Sequence, residues 1–167
     1  MKKNIILILI SLLVSLLVAE VLVRIFVPVS FKRDERNILY RHDELLGWFG
    51  EKNIEDSFAK WSAPRKVGVK NNSLGFRDDE FKDDKDKKNI AFIGDSFVWG
   101  YDVEKNERFT EILRKKTDKY DVYNLGISGY GTDQEFLLLK KYFSKFKPDI
   151  VFLVFSTGND FKDNVTN

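Results

Sequence analysis

A serine of the kind that serves as a nucleophile stands at Ser96, directly after Gly94 and Asp95 and at the end of an apolar run, Ile90 to Ile93. A run of that length and content reads as a buried strand. A hydroxyl on the first turn after a strand can be held clear of the backbone by a sharp bend. The spacing is G-D-S and not G-x-S-x-G, because the next glycine after Gly94 is Gly100. Taken alone, the turn equally suits a loop in which Asp95 or Ser96 caps the following helix. Two later strand ends add to it: Val122 to Leu125 stops at Gly126, and Ile150 to Phe155 is followed by Ser156, Thr157, Gly158 and Asn159. A nucleophilic serine creates an oxyanion, and a glycine N–H, a turn N–H and an asparagine amide are suitable donors to it. These are parts for acyl transfer.

What must position them is a parallel sheet. From Asn89 the pattern runs strand, loop, helix and repeats: the first strand ends at Gly94, and Glu107 to Lys116 carries Phe109, Ile112 and Leu113 on one helical face. The second strand ends at Gly126, and Glu135 to Lys145 places Phe136, Leu137, Leu139, Tyr142 and Phe143 within a helix. Ile150 to Phe155, after Pro148, is apolar throughout, as expected of a strand buried on both faces. Alternation of this kind predicts an α/β, flavodoxin-like parallel sheet with flanking helices and right-handed crossovers, with three strands recognisable. In such a sheet the carboxyl ends of the strands open on one edge, where ligands bind. Ser96, Gly126 and Asn159 all fall on that edge.

The segments before the sheet are of two kinds. After Lys2 and Lys3, Ile5 to Ala19 is apolar except for Ser11 and Ser15, and apolar character resumes from Val21 to Val29 around Glu20 and Arg24. No small-x-small cleavage site follows, and Glu20 and Arg24 stand at the spacing at which opposite charges pair on a helix. Residues 1–29 are therefore expected to be an uncleaved transmembrane anchor, with the lysines cytoplasmic and everything after Pro28 outside. Residues 30–88 lack sustained periodicity and are expected to be a stem, charged from Phe31 to Arg41, followed by an irregular extension. Within it Asn71 to Phe81 looks like a turn at Gly75, with Phe76 and Phe81 packing and Arg77 offering a fixed cation. Residues 89–167 form the sheet domain.

Composition sets limits. The chain of 167 residues is 43% hydrophobic and 14% aromatic, values of a globular protein, and its net charge of +2 gives no electrostatic case for a nucleic-acid partner. It has no cysteine, which removes thiolate catalysis, disulfides and cysteine-based metal sites. No cofactor or metal is expected. Gly126, Gly129 and Gly131 do not make a dinucleotide-binding fingerprint.

Several motifs in one order carry a resemblance: DELLGW at Asp43 to Trp48, NSLGFRDDEF at Asn72 to Phe81, IGDSFVWGYDV at Ile93 to Val103, NLGISGYGTDQE at Asn124 to Glu135, and FSTGND at Phe155 to Asp160. Together they resemble the SGNH, or GDSL-type, hydrolases, and within them bacterial membrane-anchored members related to polysaccharide O-acetylation enzymes. The resemblance implies Ser96 as nucleophile and, through its own N–H, as one oxyanion donor. Gly126 would supply a second donor through its N–H and Asn159 a third through its side chain, with Asp95 and Asp160 holding loops. It implies an acyl ester as substrate, acetyl and carried by a cell-surface carbohydrate. The family's G-x-N-D block has Thr157 in place of its first glycine, and the final D-x-x-H block has no counterpart. His42, the only histidine, is expected on the surface. The expectation is therefore a truncated, nearly inactive chain of an esterase or O-acyltransferase. The alternative is a non-catalytic fragment or pseudoenzyme that binds ligand or serves an envelope complex as a structural module.

Overall fold

A computed structural model describes residues 2–26, 39–59, 66–82, 84 and 86–166. The end of the expected anchor at 27–29 and the expected stem at 31–38 lie outside the described residues. The chain divides into two units, Met1–Asp34 and Glu35–Asn167.

The first unit holds α1 (Lys2–Phe26), whose apolar side chains are exposed all round. Its stretch Lys3–Phe26 is long and apolar enough to cross a membrane; at 1.5 Å per residue it reaches about 36 Å, against about 30 Å of hydrocarbon. Four polar residues in it pair within the helix. Ser11 Oγ donates to Ile8 O at 2.9 Å, Ser15 Oγ donates to Ser11 O at 2.8 Å, and Arg24 Nε donates to Glu20 Oε1 at 2.8 Å.

In the second unit the sheet has three parallel strands: β5 (Lys88–Gly94), β6 (Tyr120–Asn124) and β7 (Ile150–Val154), in the order β6-β5-β7. This is the start of a flavodoxin-like order, second strand, first, third. The crossovers are made by α3 (Phe109–Lys116) and α4 (Thr132–Phe146). On one face Ala91 and Ile93 of β5 and Tyr123 of β6 pack with Leu125 and with Leu138 and Phe146 of α4. On the other face Ile90, Phe92 and Val122 pack with Val98 and Leu113.

The segment without periodicity holds two antiparallel hairpins, β1 (Tyr40–Asp43) with β2 (Gly47–Gly50) and β3 (Glu55–Ala59) with β4 (Lys66–Lys70). It is not a loose extension. Leu46, Phe49 and Phe76 enter the main core, and Phe76 has the rings of Phe49, Phe81, Tyr142 and Phe146 at 5.0 to 5.8 Å. Val67 and Val69 of β4 form a smaller core with Leu39 and Trp99.

Two expectations about the helices and strands need correction. The buried side of α3 carries Thr110 and Glu111, with Leu113 partly buried, while Phe109 and Ile112 remain about 40% exposed. The reason is that Arg108 and Arg114 turn inward to Asp78 of the loop after β4, and Glu111 pairs with Arg114 within the helix. β7 is also not buried on both faces. It is an edge strand with β5 as its one neighbour, and Phe152 and Leu153 are about half exposed.

Candidate active site

The end of β5 is shaped by one short helix, α2 (Ser96–Trp99). Asp95 caps it: Phe97 N donates to Asp95 Oδ1 at 2.9 Å, and Trp99 N donates to Asp95 O at 3.0 Å. Gly100 ends it at φ +83, where a side chain would be strained and its Cβ would lie 2.4 Å from Arg108 Cδ. Ser96 is thus the first residue of a single turn rising from the carboxyl end of the central strand. It is partly exposed, and among the described residues nothing hydrogen-bonds its hydroxyl.

Asn159 lies after β7 and reaches the same place. Its Nδ2 donates to Asp95 Oδ2 at 2.9 Å and to Asp163 Oδ2 at 2.8 Å, while its Oδ1 accepts from Ser156 Oγ. Asp160, which begins α5 (Asp160–Thr166), takes Ser156 N–H on its Oδ2 at 2.6 Å and so closes the loop. Thr157 is exposed and has no positive φ, so this loop accepts a residue other than glycine there.

Gly126 stands just after β6. Its N–H donates to Asn124 Oδ1 at 3.1 Å and it is buried under α2, where an added Cβ would lie 2.3 Å from Trp99 N. In this geometry the residue allows a close approach of loop and helix, and its N–H is already engaged. Asn124 is the hub: its Nδ2 also donates to Val98 O at 2.6 Å and to Thr110 Oγ1 at 2.9 Å, tying β6 to α2 and α3. The loop after β6 is held from outside by the first hairpin. Trp48 Nε1 donates to Ser128 O at 3.3 Å, Tyr130 Oη to Trp48 O at 2.5 Å, and Gln134 Nε2 to Leu46 O at 2.8 Å.

Arg77 does not offer a cation to a ligand. It is 2% exposed and donates to four backbone carbonyls, those of Trp99, Gly100, Gly68 and Val103, with its guanidinium 4.6 Å from the Trp99 ring. Burial, together with the charge of Arg108, lowers its pKa to about 10. It stitches α2 to the second hairpin. His42 is exposed on β1 opposite Trp48, and no hydrogen bond joins it to Ser96 among the described residues.

Sequence reasoning missed Glu135. It stands in the first turn of α4, fully buried, as are Asp95 and Asp160. Neither Glu135 oxygen has a hydrogen-bond partner, nor has Asp160 Oδ1. Burial, and then the charges of Asp160 and Asp95, push the Glu135 carboxyl up to about 8. Burial and the charges of Asp95 and Asp163 raise Asp160 as well, against the Ser156 N–H that favours its ionised form. The only sequence signal was an acid in a helix's first turn, which ordinarily means a solvated dipole partner.

Residues 92–167 match the GDSL-like Lipase/Acylhydrolase family. This part of the chain belongs to the SGNH/GDSL hydrolase superfamily. No curated protein matches the chain. The matched span of the GDSL-like domain begins within β5 and takes in Ser96, Asn159 and Asp160, so the general kind of activity is that of an acylhydrolase.

Proposed function

We propose that the protein is a membrane-anchored serine esterase or O-acyltransferase that acts on an acetyl ester of a cell-surface carbohydrate. The observation that carries this reading is the uncommitted hydroxyl of Ser96 on a one-turn helix at the carboxyl end of the central strand, beside an Asn159 amide held by Asp95. In the first step Ser96 Oγ bonds to the acyl carbon and gives its proton to a general base, while the carbonyl oxygen becomes an oxyanion. The Ser96 N–H and the Asn159 amide are its donors, the amide hydrogen now held by Asp163 being the one that turns to the oxyanion. Gly126 is assigned the close approach to α2, because its N–H is bonded to Asn124. Collapse expels the alcohol with a proton from the base and leaves an acyl-serine. Water then yields acetate, or a sugar hydroxyl yields a new ester.

The base that the family resemblance implies is the histidine of a D-x-x-H block, and among the described residues no side chain hydrogen-bonds Ser96 Oγ. The acetyl group, the carbohydrate and the outside location of the domain rest on the resemblance and on Lys2 and Lys3 ahead of the apolar span. Incubating the full-length protein with an acetyl ester, with and without an oligosaccharide acceptor, tests the reading. Ser96-dependent acetate or acetylated sugar is expected, and release unchanged in Ser96→Ala would overturn it.

A second reading is favoured by one observation: the Asn159 amide and the Gly126 N–H are both engaged within the protein. A non-catalytic binding or structural module of an envelope complex would look the same. It predicts saccharide binding with no covalent adduct at Ser96.

A further inference from the structure

Three fully buried carboxyl groups meet behind the Ser96 turn: Asp95 from the end of β5, Glu135 from α4 and Asp160 from α5. The two helices are in tight contact there, since a Cβ on Gly131 would lie 2.4 Å from Asn164 Oδ1 and 2.8 Å from Asn164 N. No lysine or arginine pairs with any of the three among the described residues. Nor does any group of three or more acidic or histidine side chains there have the arrangement of a metal site. Asp95 spends one oxygen on Phe97 N–H and the other on Asn159, and Asp160 spends Oδ2 on Ser156 N–H. The remaining buried polar atoms are both oxygens of Glu135, Asp160 Oδ1 and Thr132 Oγ1, and none has a partner. Three adjacent anions in a dry site without a cation are untenable, and buried polar atoms are rarely left unbonded. One proton resolves both problems.

We infer that Glu135 is a positioning residue that retains a proton and donates it to the free oxygen of Asp160, so that Asp95 keeps its grip on the Asn159 amide beside Ser96. The groups facing it are Asp95, Asp160 and Thr132, with Asp163 beyond Asn159. Glu135 touches no substrate; it acts through Asp160 and Asp95 on where Asn159 points. Burial and the neighbouring charges oppose loss of this proton until about pH 8. Above that the third anion appears, and the loop from Ser156 to Asn159 loosens. The functional meaning rests on the reading of Asn159 as an oxyanion donor, but the proton and its effect on that amide do not.

The test uses the full chain in detergent and two readouts that need no turnover. Infrared spectra of the wild type at pH 6 to 9.5 should contain a carbonyl band of a protonated carboxyl group that disappears with a midpoint near 8, and the band should be absent from Glu135→Gln. In ¹⁵N spectra the Asn159 side-chain amide should move with the same midpoint in the wild type and stay in place in Glu135→Gln, whose neutral amide donates to Asp160 at every pH. Should that variant not fold, the coincidence of the two midpoints in the wild type still decides. No such band at pH 6 to 7, or an Asn159 amide insensitive to its loss, overturns the inference. An intact band and a moving amide in a protein that never forms an adduct at Ser96 would instead count against the catalytic reading alone.

Discussion

Asp95 is the residue on which the site turns, because each of its oxygens serves a different element. Asp95→Ala removes a helix cap, which costs about 1 kcal/mol, and also frees Asn159 and leaves its amide half unpaired. We expect a stability loss of about 2 kcal/mol in denaturant titrations and a large loss of Ser96 reactivity. Asp163→Ala takes away only the second acceptor of that amide. It should leave stability within about 0.5 kcal/mol and reactivity intact, and equal losses in the two variants would show that Asn159 is not directed by Asp95. Glu135 gives the pH dependence its sign. Its proton is released near 4.5 in the unfolded chain and near 8 in the folded one. Between those values the folded state binds more protons, so stability falls as pH rises and the penalty is complete above 8. Melting temperatures should decline over that range in the wild type and less so in Glu135→Gln. The positions of the Ser96 turn and the Asn159 loop at strand ends were legible in the sequence because short motifs fix them. Glu135 was not, because α5 buries it from more than twenty residues away. Nor was the use of the Gly126 N–H, which depends on how Asn124 turns.

At the scale of elements, β5, β6 and β7 were readable as apolar runs bounded by glycine and proline, and α4 from its periodicity. The hairpins were not. Their strands are four or five residues long, too short for an alternation to stand out, and what holds them is tertiary. Arg77 shows this best: its four carbonyl partners come from Gly68, Trp99, Gly100 and Val103, and no local pattern announces them. Arg77→Met should therefore cost at least about 3 kcal/mol by leaving buried carbonyls unpaired, visible as a lower denaturation midpoint. The approach of the β6 loop to α2 is equally tight. Gly126→Ala places a methyl group 2.3 Å from a backbone nitrogen, which no side-chain movement relieves, and should destabilise by about 1–3 kcal/mol. A neutral Gly126→Ala would mean that the loop and α2 are not in contact.

At the scale of the whole molecule, an apolar helix and an α/β domain with an exposed apolar edge strand, β7, define how the protein behaves. Protease added to intact spheroplasts should remove the domain and leave a small membrane-bound fragment, and a protected domain would contradict the orientation proposed from Lys2 and Lys3. β7 exposes Phe152 and Leu153 and carries no charge or proline between Ile150 and Val154, the composition of a strand that pairs with other chains when uncovered. The soluble part of these 167 residues should accordingly associate at micromolar concentration in light scattering, and Leu153→Lys should reduce that association. The central claim is that Ser96 is the nucleophile of a GDSL-like acyl-transfer site. Peptide mapping of the full-length protein after reaction with a fluorophosphonate tests it most directly: the account predicts one adduct, on Ser96, that is lost in Ser96→Ala. An adduct on Ser128 or Ser156, or one that survives the substitution, would contradict it.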